Sequence, residues 1–411
     1  MSLVNIKAPA NWRADFPALS NTMSGQPLVF LDSGASAQKP RSVIDAMTAV
    51  MEGQYANIHR GLYEFSGTTT ASFEAARRRI ARFIGGEGEE IVFTRNSTEA
   101  INLVAASWGR ANLASGDEII LTEMEHHANL VPWHMLRDEL GIVIKYIPVN
   151  DAGDLNLDQF ETLLSAKTKL VSFVHISNAL GTINPAKDIV GRVRSFNNDI
   201  RILIDGSQSA VHMKIDVRDL GCDWFTFTGH KLYGPTGVGV LWGKPEILNA
   251  MPPYQGGGDM IERVTLDGTT YKPAPARFEA GTPAIAEVIG LGAACDYIDF
   301  LGWDAILTHE KALSDTLYKR LSSRKGVKVI GNAKNRAGIV SFTVDGASPA
   351  DIGMILDKCG VAVRTGHHCC MPLMARFGIE GTVRASLALY STPDDINALE
   401  AALDKCTKLL S

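Results

Sequence analysis

The chain has 411 residues, of which 45% are hydrophobic, and this length is sufficient for two domains that each have a core. Its formal net charge of −5 argues against nucleic acid and anionic membrane surfaces as partners. No stretch approaches the roughly 18 apolar residues of a membrane span, and the first residues lack the apolar centre of a signal peptide. With only six cysteines, we expect a cytoplasmic protein in a reducing compartment.

Short apolar runs rich in β-branched residues alternate with helical patterns between about residues 88 and 245. They predict seven strands at 89–94, 117–123, 143–149, 168–175, 200–206, 223–229 and 237–243. Strands that are apolar on both faces and alternate with helices are typical of a mostly parallel sheet covered on both sides. The fold class predicted here is therefore α/β.

From about residue 286 the helical patterns become longer, and strands are predicted only at 338–343 and 360–364. We interpret 286–411 as a smaller α+β domain, 23–285 as the large domain, and 1–22 as a segment that packs with the small domain. A stretch rich in glycine, proline and aromatic residues covers 251–281 and is too long for an ordinary loop, which indicates a function.

Lys231 follows an apolar run and precedes a glycine-rich turn, in TGHKLYGPTG. An isolated lysine in a loop is usually a solvated charge. Between two buried strands, however, a lysine is desolvated, and burial lowers its pKa toward that of a usable nucleophile. Thr228 and His230 beside it could hold an anion.

Other polar residues also follow predicted strands, where ligands bind in open α/β sheets. Asp205 ends the strand of ILIDGSQS, although it could equally be a turn or cap residue. Ser97 and Thr98 begin a predicted helix. Its N-terminus could bind a phosphate, or these residues could simply cap the helix. His126 in EMEHHANL could lie flat on a ring. In chain order these residues form the constellation of a pyridoxal-phosphate (PLP) enzyme.

Residues 364–372, RTGHHCCMP, place two histidines directly before Cys369 and Cys370. A zinc or iron site is disfavoured because consecutive side chains point apart, and structural sites use spaced ligands. A Cys369–Cys370 disulfide would be strained and out of place in a reducing cytosol. A redox pair and a nucleophilic thiolate stay open as interpretations, and His367, His368 and Arg364 could lower the pKa of such a thiolate or serve in packing.

The chain resembles the group II cysteine desulfurases (SufS/CsdA type), a family of fold-type-I PLP enzymes, nearly from end to end. The similarity is carried in order by LDSGASAQKP, YANIHRG, EHHANLVPW, HISNALGT, DGSQS, TGHKLYGPTG, RFEAGTP, RTGHHC and RASLALYST. Two departures stand out. The phosphate loop reads Asn96-Ser97-Thr98 instead of Gly-Thr or Thr-Thr, and Cys370 stands where the family commonly has alanine.

The resemblance implies roles for individual residues. For the cofactor it implies Lys231 as the Schiff-base lysine, Asp205 beside the pyridinium nitrogen, Gln208 at the ring hydroxyl, His126 stacked on the ring, and Ser97, Thr98, Thr228 and His230 around the phosphate. Thr282 is implied to reach the phosphate of a neighbouring subunit, which makes a homodimer part of the site. For the substrate it implies Arg384 and Asn178 near the carboxylate, with Arg364 and His59 lining the pocket.

The implied reaction converts L-cysteine to L-alanine and leaves the sulfur on Cys369 as a persulfide, with Lys231 moving the α-proton and His126 shuttling a proton to or from the substrate thiol. A SufE-type or SufU-type acceptor protein would then carry sulfur toward iron–sulfur cluster assembly. The alternatives within the same fold are selenocysteine lyase, acting on L-selenocysteine, and cysteine sulfinate desulfinase. An aminotransferase or epimerase is less favoured because neither requires the thiol.

Overall fold

The computed structural model describes residues 9–410, with side chains for residues 12–409. The helices are α1 (Arg41–Glu52), α2 (Glu64–Phe83), α3 (Ser97–Val104), α4 (Arg110–Asn112), α5 (Val131–Leu140), α6 (Leu157–Leu163), α7 (Ala186–Phe196), α8 (Ser209–His212), α9 (Val217–Leu220), α10 (Pro245–Ala250), α11 (Ile285–Leu301), α12 (Trp303–Ser322), α13 (Pro349–Lys358), α14 (Met371–Arg376) and α15 (Pro393–Leu410). A π-helical segment, Ala105–Gly109, joins α3 to α4, and short 3-10 helices lie at Pro9–Asp15, Pro17–Ser20, Gly88–Glu90, His127–Asn129 and Ala276–Phe278.

The strands are β1 (Thr22–Met23), β2 (Gln26–Pro27), β3 (Val29–Phe30), β4 (Ile91–Thr94), β5 (Glu118–Thr122), β6 (Val143–Ile147), β7 (Thr168–Val174), β8 (Arg201–Asp205), β9 (Trp224–Thr228), β10 (Gly239–Gly243), β11 (Ile261–Val264), β12 (Thr269–Tyr271), β13 (Val327–Ile330), β14 (Ile339–Val344), β15 (Val361–Ala362), β16 (Arg364–Gly366) and β17 (Thr382–Ser386).

A seven-stranded sheet is the centre of the fold, with strand order β4-β10-β9-β8-β7-β5-β6. Only β10 runs antiparallel to its neighbours β9 and β4, while β9, β8, β7, β5 and β6 pair in parallel. All seven strands predicted from the sequence are present, and the α/β fold class is confirmed. The carboxyl ends of the parallel strands therefore meet at one edge of the sheet.

Both faces of this sheet are covered, as the continuous apolar runs indicated. In β5, Ile120 belongs to one buried cluster, whereas Ile119 and Leu121 belong to another on the opposite face. Successive strand residues point to opposite sides, so strands of this kind must be apolar at every position.

A second, four-stranded antiparallel sheet has the order β13-β14-β17-β16. The strand predicted at 338–343 is β14, and the one at 360–364 is divided into β15 and β16. The sequence did not predict β17, because Arg384 interrupts its apolar pattern. In the fold Arg384 is only 2% exposed and lies next to Asp32, which removes the cost of burying it alone.

The N-terminal segment packs with later parts of the chain. Phe16 is buried with its ring edge-on to Tyr390, at 4.7 Å between ring centroids, and it also contacts Tyr233 and Tyr297. Contacts with the C-terminal part continue beyond residue 22, since β3 pairs in parallel with β15. Residues 1–8 of the predicted segment lie outside the described residues, and the division into domains stays a prediction.

The stretch 251–281 contains the β11–β12 hairpin, which exposes Val264 and Leu266. The function predicted for this stretch stays a prediction. Among the helices of residues 9–410, none combines the length and apolar character needed to cross a bilayer.

We expect Phe16→Ala to lower the free energy of unfolding by about 3–5 kcal/mol, because it removes a buried ring from an aromatic cluster. The matched control is Phe300→Ala, since the Phe300 side chain is 49% exposed and its loss should cost less than about 1 kcal/mol. Urea titration of the three proteins measures the difference. Equal effects of the two substitutions would contradict the packing described for the N-terminal segment.

Candidate active site

One cavity lies at the carboxyl ends of β4, β5, β7, β8 and β9, next to β16 and β17 of the four-stranded sheet. All the predicted site residues except His59 and Thr282 line it: Ser97, Thr98, His126, Asn178, Asp205, Gln208, Thr228, His230, Lys231, Arg364, Cys369 and Arg384. Residues that are distant in the sequence thus converge at the edge of the sheet where ligands of open α/β folds bind.

Lys231 extends from the tight turn that follows β9. Burial lowers the pKa of its amine to about 8, since the attraction of Asp205 only partly offsets desolvation and Arg384 adds repulsion. About a tenth of the amine is therefore uncharged at pH 7, far more than for an ordinary lysine, which suits a nucleophile or a base. Lys231 therefore lies in a desolvated cavity and not in a solvated loop.

Asp205 is the last residue of β8, and its orientation is fixed by Ser207. Ser207 donates to Asp205 Oδ1 from both its backbone N (2.9 Å) and its Oγ (2.6 Å). Ser207 Oγ also lies 2.8 Å from Ser97 Oγ, so it connects the acid to the first turn of α3. Ser207 was not predicted as a site residue, although it stands two residues after an acid that ends a strand, and that position is a usable signal.

The residues around the N-terminus of α3 can hold a phosphate. The first N–H groups of a helix have no partner within the helix and attract anions. Ser97 and Thr98 lie there, and Asn96 Oδ1 caps the helix by accepting from Glu99 N at 2.9 Å. Close packing requires glycine at position 239, because a Cβ there would lie 2.4 Å from Asn96 backbone atoms.

Thr228 supplies an independent indication of a bound polar ligand. Its Oγ1 is buried and has no hydrogen-bond partner among the described residues. Leaving a buried hydroxyl unpaired is costly, so a ligand atom is the expected partner. His230 lines the same cavity, and burial, with Lys231 and Lys39 nearby, lowers its pKa to about 4, so its ring is neutral.

His126 is also a neutral imidazole. Its Nδ1 accepts from Ala128 N at 3.1 Å, so the ring proton is on Nε2. Burial first, and then the cations Lys231 and Arg384, lower its pKa to about 3. His126 can therefore donate a hydrogen bond through Nε2 without adding a charge to the cavity. Gln208 donates its amide to Gly34 O at 2.7 Å, which leaves its side-chain oxygen for a hydroxyl.

Arg384 is the buried cation of the cavity. Its Nη1 donates to Asn178 O at 2.8 Å and its Nη2 to Asp32 Oδ1 at 3.2 Å, whereas Nε has no partner among the described residues. Asp32 also lies 3.7 Å from Arg364 Nη1, and burial raises the pKa of this carboxyl despite the two arginines. The free Nε–H is suited to a substrate carboxylate. Asp32 was not selected from the sequence.

Asn178 was predicted to lie near the substrate carboxylate, and it lines the cavity. Its side chain, however, contacts the segment that carries the cysteines: Nδ2 donates to His368 O at 2.8 Å, and Oδ1 accepts from Cys370 Sγ at 3.2 Å. Both amide atoms of Asn178 are therefore engaged in hydrogen bonds within the protein.

The four residues of HHCC point in different directions, as expected. His368 is buried, its Nε2 lies 2.7 Å from Thr382 Oγ1, and its pKa falls to about 3, so it packs and supplies no positive charge to a thiolate. Cys369 is partly exposed and lines the cavity, whereas Cys370 is fully buried. Within residues 9–410, no three His, Cys, Asp or Glu side chains are grouped to hold a metal ion.

His59 and Thr282 lie outside the cavity of the single chain. His59 Nε2 lies within hydrogen-bond distance of Glu74 Oε1, at 3.1 Å. Thr282 lines a second cavity beside Glu279. Thr282 was predicted to serve a neighbouring subunit, and that role requires a second copy of the chain. The roles of both residues stay predictions.

His127, for which no role was predicted, also contacts the segment that carries the cysteines. Its backbone N donates to Cys369 O at 2.7 Å, and its ring Nε2 accepts from Met371 N at 3.1 Å. It thereby holds the chain on both sides of Cys370. The sequence alone could not show this role, because a histidine next to His126 could equally serve only in packing.

The fold and the cavity define a fold-type-I PLP-dependent enzyme. The residues present fit PLP: an amine of lowered pKa, a fixed carboxylate, a helix N-terminus and a buried hydroxyl that requires a partner all line one cavity. Lys231 would hold the aldehyde carbon, Asp205 the ring nitrogen, and the α3 N-terminus with Thr228 the phosphate.

Comparison with known proteins agrees with this class. Residues 29–399 match the Aminotransferase class-V family, so the chain belongs to that family. A cysteine desulfurase of Yersinia pestis (strain Pestoides F) is 48% identical over 400 residues, which are 97% of this chain and 98% of that protein. A cysteine desulfurase of Synechococcus elongatus is 48% identical over 95% of this chain, but the match spans only 62% of that longer protein.

Two solved structures are similar over most of their length. The cysteine desulfurase CsdA of Escherichia coli has a TM-score of 0.90 and 37% identity, and the match covers 99% of this chain and 100% of that chain. A C-DES variant with glycine covalently linked to its PLP cofactor has a TM-score of 0.81 and 25% identity, over 95% and 99% of the two chains. PLP is accordingly the cofactor of this chain.

Acetylation of Lys231 in the PLP-free protein should depend on pH as expected for an amine of pKa about 8. The rate should rise about tenfold per pH unit below pH 8 and level off above it, because only the neutral amine reacts. Peptide mass spectrometry after short exposure to acetic anhydride measures the rate, with exposed Lys325 as an internal reference for reagent decay. A rate that still rises tenfold between pH 9 and 10 would contradict the lowered pKa.

Proposed function

We propose that the chain is a cysteine desulfurase that converts L-cysteine to L-alanine and transfers the sulfur to Cys369 as a persulfide. The observation that carries this proposal is that the Cys369 thiol, the Lys231 amine and the Arg384 guanidinium line one cavity. An aminotransferase requires the lysine and the arginine but has no use for the thiol.

Arg384 binds the substrate carboxylate through its free Nε–H, while Asp32 and Asn178 O fix the guanidinium plane. When bound, PLP withdraws electrons from the bonds at the substrate Cα and so makes the α-proton acidic and the Cβ–S bond cleavable. The neutral Lys231 amine takes the α-proton and later returns a proton to carbon.

Cys369 completes the reaction. Its thiolate attacks the substrate sulfur, an S–S bond forms as the Cβ–S bond breaks, and the bonding electron pair stays with the carbon fragment, which is protonated and leaves as alanine. His126 has its proton on Nε2 and can donate to the substrate sulfur during this exchange. Each substrate thus loses one sulfur, and Cys369 retains it as a persulfide.

We further propose a homodimer, a protein acceptor for the sulfur and a cytoplasmic location. Two copies would form the complete site, with Thr282 of one copy at the phosphate of the other; its position outside its own cavity supports this. The partial exposure of Cys369 suits transfer of sulfur to a SufE-type or SufU-type acceptor for iron–sulfur cluster assembly. All six cysteines are free thiols, which supports a cytoplasmic location.

We expect Cys369→Ser to reduce alanine formation from L-cysteine at least about 100-fold, because the attacking thiolate is lost. Cys370→Ser is the matched control and should stay within about twofold of the wild-type rate, since a hydroxyl can replace the buried thiol as donor. Alanine and sulfide are measured together in the presence of a thiol reductant.

Loss of activity with Cys370→Ser but not with Cys369→Ser would overturn the assignment of the nucleophile. The same assay with L-selenocysteine and cysteine sulfinate tests the alternatives. Turnover of either compound with negligible turnover of L-cysteine would favour selenocysteine lyase or cysteine sulfinate desulfinase.

A further inference from the structure

The segment His367–Cys370, which we call the nucleophile loop, has an unusual backbone. His368 and Cys369 have φ angles of 52° and 57°, both in the left-handed region that residues with a Cβ rarely adopt. Two consecutive residues in this conformation persist only when surrounding contacts hold them. The position of the Cys369 thiol therefore depends on those contacts.

The loop is held from two sides. His127 fixes the Cys369 carbonyl, and Thr382 lies within hydrogen-bond distance of the His368 ring. Within the loop, Cys369 N donates to His367 Nδ1 at 3.0 Å and Cys370 N donates to His367 O at 2.8 Å. Asn178 adds two contacts from outside, since its amide spans the loop from His368 O to Cys370 Sγ, which also lies 3.5 Å from His368 O. Cys369 lies between these two contacts of Asn178.

Cys370 is the member of this set that the resemblance could not explain. Its side chain has no exposed surface, whereas Cys369 next to it is partly exposed. Burial raises the pKa of the Cys370 thiol to about 12, so the thiol keeps its proton and can donate it to Asn178 Oδ1 at 3.2 Å. A second sulfur acceptor would instead need an accessible thiolate.

We propose that Cys370 is a positioning residue whose S–H donor locks the Asn178 amide across the nucleophile loop and so fixes Cys369 at the cavity. Without that donor, Asn178 Oδ1 loses the buried partner it has in the structure, and the amide no longer holds both sides of Cys369. The inference rests on the proposed function, because it concerns the orientation of the proposed nucleophile.

The test uses the PLP-loaded enzyme and two readouts. The first is the rate at which iodoacetamide modifies Cys369 in the native protein, measured by peptide mass spectrometry. The second is kcat and KM for alanine formation. Cys370→Ala removes the donor and should allow folding, because it replaces a small buried side chain by a slightly smaller apolar one. We expect alkylation of Cys369 to become about fivefold faster and kcat to fall about fivefold, with KM little changed.

Two further variants separate positioning from a general loss of a buried thiol. Cys370→Ser keeps a donor and should restore both readouts to within about twofold of wild type. Cys295→Ala removes another fully buried cysteine, in α11, and should leave both unchanged.

The proposal is overturned if Cys370→Ala leaves the alkylation rate of Cys369 unchanged, or if Cys370 in the wild type is alkylated as fast as Cys369. The alkylation readout does not require desulfurase activity. If wild-type protein forms no alanine, the proposed function fails, while the change in alkylation rate still decides whether Cys370 positions the loop.

Discussion

Asn178 lies where the loop after β7 meets the four-stranded sheet, and three hydrogen bonds from this one residue connect the two parts of the site. Its carbonyl accepts from Arg384, and its amide contacts the chain on both sides of Cys369. The seven-stranded sheet supplies Lys231 and Asp205 but carries neither the thiol nor the buried arginine. The chemistry proposed for the cavity therefore depends on Asn178 keeping those groups in register with Lys231.

Charge in the cavity follows from burial. His126 and His368 have pKa values of about 3, so neither is positive at neutral pH, and Lys231 is partly neutral because its pKa is about 8. Arg384 is the strong cation and is held by Asp32. Neutral imidazoles can donate hydrogen bonds without competing for the substrate carboxylate, so the guanidinium groups of Arg384 and Arg364 are the permanent cations that line the cavity.

The seven-stranded sheet and its site residues were predicted from the sequence much better than the part of the site that carries Arg384 and the cysteines. The seven strands were predictable because a sheet buried on both faces requires continuous apolar runs, and Lys231 and Asp205 were visible as polar residues at strand ends. The strand β17 was missed because the partner of Arg384, Asp32, is far away in the sequence. The contacts of Cys370 and His127 were also hidden, since they depend on a left-handed loop at Cys369 that no local pattern encodes.

The most direct test of the account is the location of sulfur after a single turnover. The PLP-loaded protein is mixed with one equivalent of L-cysteine without reductant, alkylated, digested under conditions that preserve S–S bonds, and analysed by tandem mass spectrometry. The account predicts one additional sulfur atom on Cys369, formed in step with one equivalent of alanine. Additional sulfur on Cys370, or alanine formed with free sulfide and no protein-bound sulfur, would contradict it.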